Sequence, residues 1–371
     1  MNTQKTPMIV LTGGPCAGKT TVLSFFQQRL SDLGYVVITV SEAATDFILS
    51  GLKPTTLGSS QFQLHLLQHI TEKEDRWKKI ADLIPTDKKV VICDRGTADG
   101  AAYVNPREFE LILGDLGCNM MDLHKRYDAV IFLQSVAVDK PELYVRANNL
   151  ARSESVDQAL ALDRRTFEAW NGHPQLQIIG NSADMAGKSN RAFQAVCRVL
   201  GIPVPLEIEY KYLVSGSFHT FSLVSVQRVD IVQDYLEGGE DPHTEERVRI
   251  RSHSGGSAYY YTVKQGAYPA VRTKREYQIT REEYYTLLRR ADPGFATIKK
   301  TRHCFPFKDQ YYELDVFHNP QGLVLLEVEP TEKNDTIILP DFLKDHVTDV
   351  TGSPQYSNRE IARRLAEGKE L

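Results

Sequence analysis

The sequence predicts an α/β half built on a parallel sheet, followed by an α+β half dominated by antiparallel strands. Three observations carry this. Up to about residue 200, short and nearly continuous apolar runs alternate with stretches of helical spacing, the pattern of strands covered on both faces. From Leu206 to Pro330, strands instead alternate charged and apolar residues. Between the two patterns Gly201 supplies a helix stop, and Pro203 and Pro205 stiffen a junction. At 371 residues the chain exceeds the usual size of one hydrophobic core. Two domains are expected, over residues 1–203 and 204–371.

In the first half, Met8 to Thr12 is a short apolar run and Thr20 to Leu30 has helical spacing. Tyr35 to Val40 is a β-rich run, and Gln61 to Ile80 is a long helical stretch. Further strands are expected at Lys89 to Cys93, Ala129 to Leu133 and Leu176 to Ile179, with a helix at Arg191 to Leu200. In the second half a helix at about Thr280 to Ala291 interrupts the strands. There is no internal repeat and no low-complexity segment.

The composition is 42% hydrophobic and 25% charged, with a formal net charge of -4, which gives no reason to expect nucleic-acid binding. Any basic site must be local. Cys16, Cys93, Cys118, Cys197 and Cys304 are scattered without paired metal-ligand spacing, as expected of reduced thiols. The short apolar run after the polar N-terminus is wrongly flanked for a signal peptide, and no stretch reaches the ~20 apolar residues of a membrane span. A cytoplasmic location is the expectation.

The first chemical signal is Gly13-Gly14-Pro15-Cys16-Ala17-Gly18-Lys19-Thr20, which fits Gly-x4-Gly-Lys-Ser/Thr. Its glycines let successive backbone N–H groups face a phosphate, helped by the N-terminus of the following helix. Lys19 would reach the β- and γ-phosphates, the Thr20 hydroxyl would sit on Mg²⁺, and Thr21 continues the nucleotide-binding stretch. A chance glycine-rich turn is the alternative, but here a strand precedes the loop and a helix follows it.

Val90 to Cys93 is an apolar strand that ends in Asp94, where a second carboxylate would hold Mg²⁺ beside the loop hydroxyl. Asp94-Arg95-Gly96 resembles nucleoside and nucleotide kinases, which implies that Arg95 contacts substrate or phosphate. Glu42 follows a strand at the carboxyl edge, where open α/β sheets bind ligands. It could accept a proton from an acceptor hydroxyl, contact the metal, or be a solvated loop residue. Arg146 and Arg152, in an expected helical lid, are candidates to neutralise charge on a transferred phosphoryl group. Trp170 and His173 are expected to pack structurally.

Residues two apart on a strand share a face. Glu207, Glu209 and Lys211 therefore point one way, as do Arg247, Arg249 and Arg251 on another strand. Lys300 shares a face with Arg302, Glu313 with Asp315, and Glu327 with Glu329. One such strand is an ordinary half-exposed sheet. Five with both signs of charge suggest a closed barrel with ionic side chains inside, which is tolerable only with a ligand, a metal or water.

This ordered set, opening on Glu207-x-Glu209-x-Lys211, resembles the CYTH superfamily, the triphosphate tunnel metalloenzymes, over roughly residues 206–365. The tail from Leu339-Pro340-Asp341 to Tyr356-Ser357-Asn358 resembles the family's closing segment. The resemblance implies an eight-stranded triphosphate tunnel barrel with one or two divalent metals, Mg²⁺ or Mn²⁺. It implies metal binding by Glu207, Glu209, Asp315, Glu327 and Glu329. It also implies that Lys211, Arg249, Arg251, Lys264, Lys300 and Arg302 grip triphosphate oxygens, with Glu276 a less secure member. Residues 238–242 and Tyr259-Tyr260-Tyr261 are not features of that pattern.

The first half resembles AAA-type P-loop NTPases similar to nicotinamide riboside kinases. The order of the two halves resembles the TRPL translocation defect protein family, which implies guanine-nucleotide binding and contact with phosphatidic acid in membrane traffic; ATP or GTP at the loop, and a contact with a phosphoinositide or phosphatidic acid, are the partners expected. Metal-dependent hydrolysis of inorganic or nucleoside triphosphates is the leading expectation. The alternatives are a nucleotide-controlled switch that binds lipid phosphate or protein, and a small-molecule kinase.

Overall fold

The computed structural model describes residues 6–139, 141, 155–181, 184–202, 209–215, 226–238, 244–253, 255–265, 273–308, 310–328 and 336–369. The expected site residues Arg146, Arg152, Glu207 and Glu329 lie outside them. The chain divides into two compact units, Met1–Val196 and Cys197–Leu371.

The first unit runs β1 (Met8–Thr12), α1 (Lys19–Asp32), β2 (Val36–Val40), α2 (Ala43–Leu49), α3 (Pro54–Leu57), α4 (Ser59–Asp82) and β3 (Lys89–Asp94). It continues with α5 (Pro106–Asp115), α6 (Met120–His124), β4 (Ala129–Leu133), α7 (Val136–Asp139), α8 (Val156–Trp170), β5 (Leu176–Ile179) and α9 (Met185–Val199), the last reaching past the unit's limit. Its strands form one parallel sheet in the order β2-β3-β1-β4-β5. Met8 to Leu11, Val90 to Cys93 and Ala129 to Leu133 are all at most 2% exposed. The apolar runs are therefore central strands buried on both faces, as the sequence predicts. Parallel pairing brings the carboxyl ends of β1, β3 and β4 to one edge, and the loops that leave this edge carry the polar side chains described below.

Helix α8 starts on a capping box, in which the Ser155 side chain accepts from Gln158 N and Gln158 reaches back to the Ser155 N–H. Its buried face carries Ala159, Leu162, Asp163, Thr166, Phe167, Ala169 and Trp170. Helix α1 is capped differently. Gly18 stands at its N-cap with φ 87° and no side-chain cap, so the first-turn N–H groups are left to a ligand or to water.

The second unit contains β6 (Tyr210–Val214), β7 (Gln227–Tyr235), β8 (Thr244–His253), β9 (Gly256–Gln265), β10 (Thr273–Ile279), α10 (Arg281–Leu288), β11 (Ile298–Phe307), β12 (Gln310–Asn319), β13 (Val324–Val328), β14 (Val347–Asp349) and α11 (Asn358–Ala366). Its antiparallel sheet has the order β10-β9-β8-β7-β11-β12-β13-β6-β14. The eight-stranded closed barrel expected from the sequence is thus a nine-stranded sheet here. No pairing of β10 with β14 closes it among the described residues. The ninth strand is three residues long, too short to show a period.

The sheet's two faces differ. On one, Leu236, Val248, Tyr259 and Tyr261 pack against Tyr284 of α10, and Tyr212, Phe305, Tyr312, Leu314, Leu326 and Leu343 form a second apolar cluster. On the other, Ile361 and Ala362 of α11 pack on Tyr235, Ile298, Phe317 and Leu325. This second face also carries the charges.

Candidate functional sites

In the first unit the site begins with backbone shape. Gly13 has φ 140°, and a Cβ there would fall 2.0 Å from the Leu133 carbonyl oxygen, so only glycine lets the loop leave β1 this close to β4. Cys16 adopts φ 58°, a left-handed turn that bends the loop back toward α1. Lys19 Nζ donates to the carbonyls of Gly13 and Gly14 at 3.0 and 3.1 Å, which holds the ammonium over the loop. Burial, with Arg95 beside it, pulls Lys19 down to about 8, against the attraction of Asp94, Glu42 and Asp99. Ala17 is buried, Pro15 and Cys16 are half-buried, and Thr20 and Thr21 are exposed at the start of α1.

Asp94 stands at the end of β3, opposite Leu11 of β1. Its Oδ1 is shielded from solvent and makes no hydrogen bond. Burial pushes its carboxyl above the ordinary range, with Lys19 opposing. An unsatisfied carboxylate oxygen at the strand end, with the Thr20 hydroxyl at the start of α1, is a donor set that fits a hard divalent cation.

Arg95 follows with φ 66°. Its Nε donates to Glu42 Oε1 at 2.5 Å and its Nη1 to Asp99 Oδ2 at 3.3 Å. Burial works against the Glu42 charge, but Arg95 and Lys19 outweigh it and hold the carboxyl below its usual range. Of the three options open for Glu42, the structure displays a partnered carboxylate beside Arg95, rather than a freely solvated one.

Two residues that sequence reasoning did not select organise this edge. Asp99 accepts from Thr12 Oγ1 at 2.8 and 2.7 Å and from Trp170 Nε1 at 2.5 Å. Asp163 accepts from the N–H groups of Gly14 and Ser135 at 2.9 and 3.0 Å. Asp163 lies 149 residues from Gly14, and no local pattern marks it. Trp170 and His173 are fully buried, as expected of packing residues.

In the second unit, cross-strand register determines which charges meet. Lys211 stands opposite Glu327, and Glu327 opposite Glu313. Asp315 stands opposite Arg302, and Arg302 opposite Val229. Lys300 stands opposite Ile231, Ile231 opposite Arg251, Gln233 opposite Arg249 and Tyr235 opposite Arg247. Thr262 links Arg247 to Glu276, and Lys264 stands opposite Glu245. These positions occupy one face of one sheet.

The face is dry as well as charged. Arg247, Arg249, Arg251, Lys300, Arg302, Asp315 and Glu327 are each at most 8% exposed. Arg302 is the hub, with Nε and Nη2 donating bidentately to Asp315 at 2.6 Å, Nη2 to Glu327 at 2.8 Å, and Nη1 to Glu313. Lys300 pairs with Asp315 at 2.5 Å and also reaches Asn358 of α11. Lys211 pairs with Glu327 at 2.9 Å and with the exposed Glu209 at 3.1 Å. Burial opposes the Glu327 charge, but Lys211, Lys300 and Arg302 hold its carboxyl well below the usual range.

Charge is shared unevenly across the face. Glu313, Asp315 and Glu327 gather on the Arg302 side, whereas β8 sets three arginines side by side. Arg249 pairs with Glu276, and its guanidinium lies 5.9 Å over the Tyr260 ring. Nε of both Arg247 and Arg249 is buried without a hydrogen-bond partner. Burial first, and then Arg247, Arg251 and Arg302 against the help of Glu276, push Arg249 down to about 10. The group remains a cation at neutral pH. Burial opposes the charge of the neighbouring Arg247 too, but Tyr235, Glu276 and Glu245 hold it above its usual range.

Two of the five expected metal residues, Glu207 and Glu329, lie outside the described residues. Among the described residues no group of three or more His, Cys, Asp or Glu side chains is placed to hold a metal ion, and Asp315 and Glu327 are taken up by cations.

Residues 8–188 match an AAA domain family. The first unit is therefore AAA-like. No curated protein matches the chain. Among solved structures, the inorganic triphosphatase NE1496 is similar at 27% identity, covering 43% of this chain and 96% of its own, with a TM-score of 0.32. The PH1819 protein from Pyrococcus horikoshii OT3 is 19% identical, covering 34% of this chain and 80% of its own, with a TM-score of 0.27. HpAC1 from Hippeastrum, described as having a dominant triphosphatase activity, is 12% identical over the same shares, with a TM-score of 0.26. All three scores are low, and the reading of the second unit rests on its own geometry. No helix among the described residues is long and apolar enough to cross a membrane.

Proposed function

We propose that the chain binds a nucleoside triphosphate with Mg²⁺ at the loop of the first unit, and hydrolyses a triphosphate on the cationic face of the second. The observation that carries the second activity is the buried row Arg247, Arg249 and Arg251, backed by Lys300 and Arg302. A buried row of cations is stabilised by a polyanion. Planar guanidinium groups donate paired hydrogen bonds to phosphate oxygens. A phosphate that takes over N–H groups of Arg302 would release oxygens of Glu313 and Glu327, which could then accept hydrogen bonds from water aligned for in-line attack.

In the first unit, loop N–H groups and Lys19 would grip the phosphates, while Asp94 and Thr20 would hold Mg²⁺. That ion, when bound, neutralises charge on the bridged phosphate oxygens. A second reading, phosphoryl transfer to a small acceptor, is favoured by one observation. The Glu42 carboxylate stands paired to Arg95 at the same sheet edge, and would take the proton of an acceptor hydroxyl bound there.

The deciding experiment measures phosphate release by wild-type protein from tripolyphosphate, ATP and GTP, with Mg²⁺, with Mn²⁺ and with chelator. Release from at least one substrate is expected. No release under any condition removes the hydrolase reading. Nucleotide binding is measured separately by calorimetry.

A further inference from the structure

The loop of the first unit is gripped from behind by a carboxylate that neither proposed chemistry uses. Asp163 lies on the buried face of α8 at 5% exposure. Its Oδ1 takes both the Gly14 and the Ser135 N–H groups. Ser135 Oγ in turn donates to the Pro15 carbonyl, and the Gly14 carbonyl accepts Lys19 Nζ at 3.1 Å. Both backbone groups of Gly14 are thus held, its N–H by Asp163 and its carbonyl oxygen by Lys19.

The fit leaves no slack. A Cβ on Gly14 would lie 2.5 Å from Asp163 Oδ1 and 2.9 Å from its Cα, so helix and loop touch directly. Seven residues on, along the same helix face, Trp170 Nε1 holds Asp99, and Asp99 holds Thr12 and Arg95. One helix therefore fixes the loop at one point and the Arg95 side of the sheet edge at another. Packing alone would favour an apolar residue at position 163, because burying a carboxylate is costly unless it satisfies donors that have no other partner.

We propose that Asp163 is a positioning residue of the phosphate loop: its Oδ1 holds Gly14 and Ser135 in the phosphate-ready curl, and nucleotide affinity depends on that acceptor. The inference rests on the nucleotide reading of the first unit, and the test separates the two. Full-length wild type, Asp163→Ala and Asp163→Asn are compared by calorimetry with ATP and GTP in the presence of Mg²⁺. Exchange of the Gly14 amide is followed without nucleotide. Asp163→Ala is expected to lose protection at Gly14 and to weaken binding by about tenfold or more. Asp163→Asn, which keeps an oxygen acceptor at the same reach, is expected to recover most of both.

Wild type that binds neither nucleotide overturns the nucleotide reading and this inference with it. Wild type that binds while Asp163→Ala binds equally well overturns the inference alone. Equal loss in the Ala and Asn variants overturns it too, since the acceptor would then not be what matters. Should Asp163→Ala fail to fold, Asp163→Ser, which keeps a small polar group but falls short of Gly14, takes its place under the same criteria.

Discussion

Asp163 also has an electrostatic consequence of its own. Burial lifts its carboxyl from 3.8 to about 6, against the pull of the Gly14 and Ser135 N–H groups, Lys188 and Lys19. An acid whose value rises on folding binds its proton more tightly in the folded state. Its stabilising contribution is complete below the unfolded value and is lost as pH rises through about 6. Wild type should therefore lose stability relative to Asp163→Asn between about pH 4 and pH 7, by roughly 2–3 kcal/mol. Urea unfolding of both proteins across that window checks it, and parallel curves would contradict the assignment. Glu74 is lifted the same way, to about 7, by burial against Arg126 and Tyr127. Comparison with the single variant isolates Asp163 from it. At this scale the sequence was most legible where chemistry is contiguous. Gly13 to Thr20 announce themselves within eight residues, whereas Asp99 and Asp163 gain meaning only through Thr12 and Gly14, far away in the chain.

Among elements, the strands of the second unit were legible for a different reason. Alternation is a local signal, so the shared face of Arg247, Arg249 and Arg251 is visible in sequence, and the structure places all three among buried residues. Which strands lie side by side is a non-local matter. Nothing in the alternation of β8 shows that β7 separates it from β11, or that β14 extends the sheet past eight strands. Helix α11 went unrecognised because its apolar contribution is small: Ile361 and Ala362 are buried amid Arg359, Arg363 and Arg364. Yet that helix covers the apolar end of the charged face, and Asn358 at its start meets Lys300. Ile361→Ala should destabilise the second unit by about 2–5 kcal/mol, as expected for a fully buried aliphatic residue. Chemical denaturation followed by a probe in that unit measures it, and a change below about 1 kcal/mol would show that α11 contributes little.

Over the whole molecule, two polyphosphate sites are proposed in two units, and they should fail separately. Lys19→Ala is expected to weaken nucleotide binding at the loop by at least about tenfold while leaving triphosphate hydrolysis within about twofold of wild type. Glu327→Gln is expected to do the reverse. It disturbs the carboxylates around Arg302 and leaves the loop untouched. Paired calorimetry and phosphate-release assays decide, and a folded variant that loses both activities would refute the separation. The register of the second unit carries a last consequence. Every arginine of β8 on the charged face has an odd number, and the cations of β11 on that face have even ones. Insertion or loss of one residue inside either strand would exchange the two faces beyond that point, replacing the cations of the charged face by residues such as Val248 and Ile250 or Thr301 and His303. Parity, more than length, is what descent must preserve there. Changes of even count or confined to connecting loops can persist, while a single-codon indel within β8 should erase the function.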